Sequence, residues 1–517
     1  MIGAETETVF AAFDDTAARH PERGFLNVLP ETADIYGIAA GEVSYAEAAR
    51  EVAALRKRIS AAGYLPGQRV MLLMENRPAF FLWWLALNGL GLSVVPVNPD
   101  LRAAELSYMI DHAEPVLAVA IPARGEDLRA AARRAGRDMP VIAPEEPLPA
   151  PATLETIAAR HGGAEEAEAA LLYTSGTTGQ PKGCILTNTY FLDAGRWYAD
   201  TGGLCALSQD GVGGCLTALD RFHPRSWWSS VRASGATCLH YLGVMPSMLM
   251  GAEASEADRD HAVRFGFGAG VDPKLHAAFE ARFGFPLVEA WAMTETGAGA
   301  VICANREPRR VGESCLGTPE GGLEVRLRDD AGQEADQGEL LVRRAGAEPR
   351  RGFFAGYFKN AEATDEAWAG GWFHTGDIVR RAPDGAMYFV DRKKNVIRRS
   401  GENIAAVEVE STLMRHPAVA SAAVTAVPDA VRGDEVFACI VPQDAGADPA
   451  VLAREITEWC LTQLAYYKAP GFIAFVEALP LTATQKLQRG VLKTLAADLL
   501  DDPATQDLRG MKKRTAA

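Results

Sequence analysis

The sequence has no long uncharged apolar run of the kind that crosses a bilayer as a helix. Its first residues, Met1-Ile2-Gly3-Ala4-Glu5-Thr6-Glu7, carry neither the basic nor the apolar region of a secretory signal. The eight cysteines are scattered without a Cys-x-x-Cys pair, which argues against a zinc site and for reduced thiols in the cytoplasm. Positive charge is short as well: 52 Lys and Arg stand against 67 Asp and Glu, a net charge of −15. That balance argues against nucleic acid or an anionic membrane as the main partner. An anionic substrate would need a local basic patch, and Arg392-Lys393-Lys394 with Arg398-Arg399 offers one. No internal repeat or low-complexity tract is present.

What is there is an ordinary globular composition, 48% hydrophobic and 23% charged, in 517 residues. That length exceeds what one hydrophobic core accommodates, so two or more domains are expected. Ser44-Tyr45-Ala46-Glu47 forms a capping box ahead of a helix with Val52, Leu55 and Ile59 on one side. Val70-Met71-Leu72-Leu73-Met74 reads as a buried strand, Ala79 to Leu87 as an apolar helix, and Val94-Val95-Pro96-Val97 as the next strand. The rhythm is βαβ, which predicts an α/β fold with a mostly parallel sheet covered by helices.

The texture changes near Asp391. Beyond it a small α+β unit can be drawn, with a helix around Val407–Arg415, strands near Val419–Val427 and Val436–Val441, and a helix from Asp448-Pro449. The expected division is a large N-terminal domain over 1–390, a junction at 391–394 and a C-terminal domain over 395–517. The polar stretch from Asp501 to Ala517 reads as a loosely held tail.

Tyr173-Thr174-Ser175-Gly176-Thr177-Thr178-Gly179-Gln180-Pro181-Lys182-Gly183 comes directly after the apolar run Ala169-Ala170-Leu171-Leu172. Its glycines allow close backbone approach, its four hydroxyls and free N–H groups suit phosphate oxygens, and Lys182 adds a positive charge. It reads as a loop that holds a polyphosphate. It is not a Walker A loop, because Pro181 stands where the second glycine belongs and Gly183 comes after the lysine. Gly266-Phe267-Gly268-Ala269-Gly270 is a glycine-rich turn that fails as a dinucleotide fingerprint, with Val271 in the third glycine position.

By residue identity the loop resembles the phosphate loop of the adenylate-forming superfamily, the acyl-CoA synthetases, adenylation domains and beetle luciferases. The resemblance extends over blocks in the same order from residue 173 to residue 489. It implies that Thr174, Ser175, Gly176, Thr177, Thr178 and Lys182 hold the phosphates of ATP, and that Gly268 and Ala269 line the adenine pocket. In Trp291-Ala292-Met293-Thr294-Glu295-Thr296, similar to the family's Tyr-Gly-Met-Thr-Glu block, Trp291 would pack on adenine, Thr294 touch the α-phosphate and Glu295 hold Mg²⁺. Asp377 would accept hydrogen bonds from the ribose hydroxyls and Arg392 would touch ribose and phosphate. Lys394 would be the hinge of a mobile C-terminal domain, and Ser400 with Gly401, Glu402 and Asn403 the loop that enters for the thioester step. Lys486 matches the adenylation lysine.

The implied reaction is ATP-dependent ligation of a small carboxylic acid to coenzyme A. An acyl-adenylate forms with loss of pyrophosphate, and the CoA thiolate then displaces AMP. The segments Phe389–Ile397 and Phe354–Phe358 are similar in texture to the crotonobetaine/carnitine–CoA ligase branch. Loading of an acyl carrier protein and a non-catalytic ATP- or acyl-binding role are the alternatives, and a homo-oligomer is left open. Trp197, Tyr198, Phe265 and Phe267 are candidate acyl-pocket aromatics.

The chain departs from the family pattern in several places. Trp291 replaces Tyr, Ala292 replaces Gly, Gln485 replaces the glycine before the lysine, and Asn188 stands where relatives carry histidine. Ser208-Gln209-Asp210-Gly211 runs straight into Val212-Gly213-Gly214-Cys215-Leu216, without the strand, Pro-x-Phe-His-like motif and helix expected between them.

Overall fold

A computed structural model describes the chain except for Met1, Ala4, 154–162, 175–180, 208–211, Gly243, Asp330, 393–395, Ala445, 481–486 and 514–517. For Ala206, Val244, Asp391, Arg392 and Val407 it describes the backbone alone. The chain divides into two compact units. One comprises Met1–Pro99, Ile110–Leu172 and Gly183–Asp391; the other comprises Asp100–Met109, Tyr173–Lys182 and Arg392–Ala517. Among the described residues no helix is long and apolar enough to cross a membrane.

The first unit is built on a seven-stranded sheet in the order Gly356–Tyr357, Lys182–Thr187, Glu168–Thr174, Ser93–Pro96, Arg69–Leu73, Leu117–Ala120, Val141–Ile142. The last five run parallel, and Gly356–Tyr357 closes the far edge antiparallel. Every residue of Arg69–Leu73 is buried, which is why Val70–Leu73 reads as an unbroken apolar run instead of an alternating one. The helix Tyr45–Ala61 starts at the capping box: Ser44 Oγ accepts from Glu47 N–H while Glu47 Oε2 accepts from Ser44 N–H. The helix Pro78–Asn88 takes its proline in the first turn, where no N–H partner is lost.

Two further sheets in this unit carry the candidate site. Cys238–Leu242, Phe265–Ala269 and Leu287–Trp291 run parallel, with Ile302–Cys303 antiparallel at the edge. Cys315–Gly317, Met387–Arg392, Phe373–Arg381, Gln337–Arg344 and Leu323–Arg328 form an antiparallel sheet.

The expected glycine-rich turn at 266–270 is therefore mostly a strand. Its glycines serve close packing between neighbours: a Cβ on Gly268 would lie 2.1 Å from the carbonyl oxygen of Tyr241.

Residues 208–211, after which the family segment is expected, lie outside the described residues. Just beyond them, Leu216–Thr217 pairs in parallel with Gly24–Val28, and Tyr45 OH donates to Gly214 O at 2.9 Å. Asn188 is a buried knot. Its Oδ1 accepts from Val9 N–H (3.1 Å) and Asn88 Nδ2 (2.8 Å), and its Nδ2 donates to Ala164 O (3.0 Å). An amide offers a donor and an acceptor from one short side chain, which accounts for asparagine at this position.

In the second unit the hairpin strands Val419–Asp429 and Gly433–Pro442 pair along nearly their whole length, and Phe472–Phe475 joins the latter in parallel. Asp448 caps the helix Pro449–Gln463 by accepting from Ala450 and Val451 N–H. The expectation of a loose tail is corrected as far as Lys513. Gln506–Asp507 adds an antiparallel strand beside Phe472–Phe475, Leu508 is buried in the core, and Lys512 is buried against Glu435. Polar composition misleads here because buried ion pairs, not apolar contacts, hold much of this segment.

Candidate functional site

Three candidate site residues of the first unit, Gly268, Ala269 and Trp291, stand at the carboxyl ends of parallel strands, where open α/β sheets bind ligands. Gly268 and Ala269 end one strand, and Trp291 ends the next. The backbone after Ala269 is held by Glu289, whose Oε2 accepts from Gly270 N–H (2.8 Å) and Oε1 from Val271 N–H (2.9 Å). Tyr241 OH donates to the same carboxylate at 3.2 Å. Burial raises the Glu289 carboxyl above its ordinary range, against the lowering effect of the two backbone donors. The signal for Glu289 was a lone charge inside the apolar run Leu287-Val288-Glu289-Ala290-Trp291.

Trp291 is buried, and its indole Nε1–H donates to Asp377 Oδ2 at 2.8 Å. Asp377 lies within the strand Phe373–Arg381, is 1% exposed and takes its own N–H to Thr375 Oγ1 at 3.0 Å. It is no solvent-facing turn aspartate. A buried carboxylate demands donors, and the indole supplies one that a tyrosine in the same place would present differently.

Past Trp291 the chain makes a tight turn in which Met293 N–H donates to Thr296 Oγ1 at 2.9 Å. Two tyrosines fix the residues inside this turn. Tyr190 OH donates to Thr294 O (3.0 Å) and Tyr357 OH donates to Glu295 Oε1 (3.0 Å). Burial, reinforced by the nearby Glu295 carboxylate, pushes both phenols well above their usual range, so they remain donors. Glu295 is buried and its carbonyl accepts from Phe354 N–H at 2.9 Å. Gly297 admits Tyr190: a Cβ there would fall 2.3 Å from its ring.

The structure thus brings Gly268, Ala269, Trp291, Thr294, Glu295 and Asp377 into one unit. Thr174 ends one strand and Lys182 begins the adjacent one in the seven-stranded sheet. Ser175, Gly176, Thr177 and Thr178 between them lie outside the described residues, as do Lys394 and Lys486. Arg392 ends the strand Met387–Arg392, with its side chain outside the description. Gly401, Glu402 and Asn403 belong to a hairpin of the second unit, in which Val396–Arg399 pairs with Glu402–Ala405. Trp197, Tyr198, Phe265 and Phe267 meet in one aromatic cluster with Val301 and Cys303. Among the described residues no cluster of three His, Cys, Asp or Glu side chains could hold a metal ion.

Residues 13–358 match the model of the AMP-binding enzyme family and residues 408–486 that of the AMP-binding enzyme C-terminal domain. A sulfoacetate–CoA ligase of Cupriavidus necator is 31% identical, over 93% of this chain and 97% of that protein. A crotonobetaine/carnitine–CoA ligase of Citrobacter koseri is 28% identical, over 90% of this chain and 96% of the relative. Among solved structures, the amide bond synthetase McbA from Marinactinospora thermotolerans superposes with a TM-score of 0.77 at 23% identity, covering 94% of this chain and all of that one, and shares the fold.

The chain belongs to the AMP-binding enzyme family. Within it, the chain is an AMP-forming acyl-CoA synthetase, joining a carboxylate to CoA through an acyl-adenylate at the expense of ATP.

Proposed function

We propose that the acid activated is small and carries a second polar or charged group. Two observations support this. A cavity of about 410 Å³ in the first unit is lined by Trp197 and Val301 together with Arg196, Arg306 and Arg351 and the carboxylates that pair with them, Asp193 and Glu320, and it is bounded by Ala298, a few residues beyond Glu295. The two ligase relatives act on sulfoacetate and on crotonobetaine or carnitine, acids with a second charged group.

The residue roles rest on the resemblance and the local geometry. Asp377, held by Trp291, accepts the ribose hydroxyls; a carboxylate can take several donors at once. Glu295, fixed by Tyr357, is the residue that would hold Mg²⁺, a carboxylate being a ligand suited to that ion beside substrate phosphates. When bound, that ion neutralises charge on the pyrophosphate leaving group. Thr174 to Lys182 cradle the phosphates, Thr294 and Arg392 touch them, Lys486 bridges the attacking carboxylate and the α-phosphate, and Lys394 is the hinge. Gly401, Glu402 and Asn403 serve the CoA step. The cytoplasm is the proposed setting, in keeping with eight free cysteines.

The observation that carries the nucleotide-site roles is the Trp291–Asp377 hydrogen bond, which unites two motifs 86 residues apart. Pyrophosphate release should be measured with sulfoacetate, malonate, crotonobetaine, carnitine and unsubstituted short acids, with and without CoA. Turnover with an acid bearing a second charged group, completed only when CoA is present, is the expected result. Preference for unsubstituted acids would overturn the substrate class, and turnover only with a carrier protein would overturn the CoA reading.

A further inference from the structure

The hairpin at 396–405 turns on two residues, because Arg399 pairs with Glu402 across Ser400 and Gly401. Both central residues have positive φ, 51° at Ser400 and 88° at Gly401. Such a turn suits the twist of a hairpin, but serine in the left-handed region is strained and persists only where the surroundings fix it. Those surroundings lead to the end of the chain.

Ser400 N–H donates to the carbonyl of Arg432 at 2.8 Å, and Arg398 N–H donates to Asp434 Oδ2 at 3.0 Å. Arg432 lies in a turn shaped by Asp429, whose Oδ1 accepts from Val431 N–H (3.0 Å) and Arg432 N–H (2.9 Å). The other oxygen of Asp429 takes Arg509 Nη1 at 3.0 Å, from the terminal segment. Arg509 is itself gripped by Asp507 through Nε (3.0 Å) and Nη2 (2.7 Å), and its guanidinium lies 4.6 Å over the Phe472 ring. One hold on the turn therefore originates at Arg509.

The second hold is deeper. Arg399, the residue before Ser400, is 1% exposed, and its Nε donates to both oxygens of Glu435 at 2.8 Å. Lys512 Nζ donates to Oε1 of the same carboxylate, and Glu435 also accepts from Val436 N–H at 2.9 Å. Gly471 makes room for this cluster, since a Cβ there would fall 2.5 Å from the Glu435 side chain. Its carbonyl accepts from Leu508 N–H at 2.8 Å, so the same backbone point docks the tail. Among the described residues Arg399 Nη1 is buried with no hydrogen-bond partner, which makes the shared carboxylate decisive for keeping Arg399 in place.

We propose that Arg509 and Lys512 are positioning residues that hold the Ser400–Asn403 loop in its strained shape for the CoA step. This rests on the proposed role of that loop in thioester formation. Neither side chain touches the reacting atoms; each acts through a carboxylate, Asp429 or Glu435.

The test uses the full-length protein with Arg509→Gln and, separately, Lys512→Met. Hydrogen–deuterium exchange is followed at amides 398–403, with 436–441 as an internal control. Exchange at 398–403 is expected to speed up at least tenfold in each variant that keeps its control strand protected. Unchanged exchange in Arg509→Gln, whose side chain is partly exposed and whose loss the fold should tolerate, overturns the proposal. Both half-reactions are then compared, using the acid with the highest turnover in the panel. Pyrophosphate exchange is expected to stay within twofold of the parent while CoA-dependent thioester formation falls tenfold or more. Equal loss of both halves overturns the proposal. Faster loop exchange with an intact CoA step supports the structural hold and instead removes the loop from the thioester reaction.

Discussion

The indole N–H of Trp291 meets Oδ2 of Asp377 at 2.8 Å, with both side chains almost fully buried. Trp291 ends a parallel strand and Asp377 sits within an antiparallel sheet, so this one bond ties two layers of the candidate nucleotide site together. Losing a donor to a buried carboxylate costs about 1–3 kcal/mol. Trp291→Phe should weaken ATP binding by roughly tenfold, and Asp377→Ala by more, as read by calorimetry with ATP. Unaltered ATP affinity in both variants would remove Asp377 from the ribose site.

Gly268 has no room for a side chain, since a methyl would overlap the Tyr241 carbonyl at 2.1 Å. Gly490, at the start of the helix Arg489–Leu499, has open space around its Cβ position. Gly268→Ala should lose several kcal/mol of stability by chemical denaturation, of the order seen for backbone overpacking. Gly490→Ala should be neutral or add up to about 1 kcal/mol. The reverse ranking would show that the close approach at Gly268 is not sustained in solution.

Glu280 supplies an acid-sensitive contribution to stability. Burial would raise its carboxyl, but Arg309, His276 and the Leu287 N–H outweigh burial and hold it down at about 2. Arg309 reaches it twice, at 2.7 and 2.8 Å. Because the folded value lies below the unfolded one, the contribution is present above the ordinary carboxylate pKa and fades as pH falls toward 2. Its size is at most roughly 3 kcal/mol. Glu280→Gln should therefore destabilise the protein near neutral pH and lose less on acidification than the parent. Parallel pH profiles for the two proteins would refute this.

Lys486 carries the sharpest functional expectation. Lys486→Ala should abolish pyrophosphate exchange while the variant still converts a supplied acyl-adenylate to the CoA thioester. Loss of both half-reactions would contradict its assignment to adenylation alone.

Local chemistry was legible in the sequence wherever neighbours along the chain decide it. The Ser44–Glu47 capping box and the Asp448 cap form as read, because the cap side chain and the N–H groups that donate to it lie within three residues. The apolar run Val70–Met74 reads as a buried strand, and the strand stands one residue earlier, at Arg69–Leu73. Contacts across the chain were not legible. The partners of Asn188 lie at residues 9, 88 and 164, and no local pattern announces such a knot. Glu289, Tyr190 and Tyr357 act on site residues up to about a hundred positions away and went unassigned. The 266–270 glycines were read as a turn because glycine signals turning more often than close strand packing. The tail was read as loose because paired charges look like solvated ones until their partners are known.

Lys512 lies buried only a few positions before the last residue, Ala517. A truncation that removed this residue would strip Glu435 of one of its two cations.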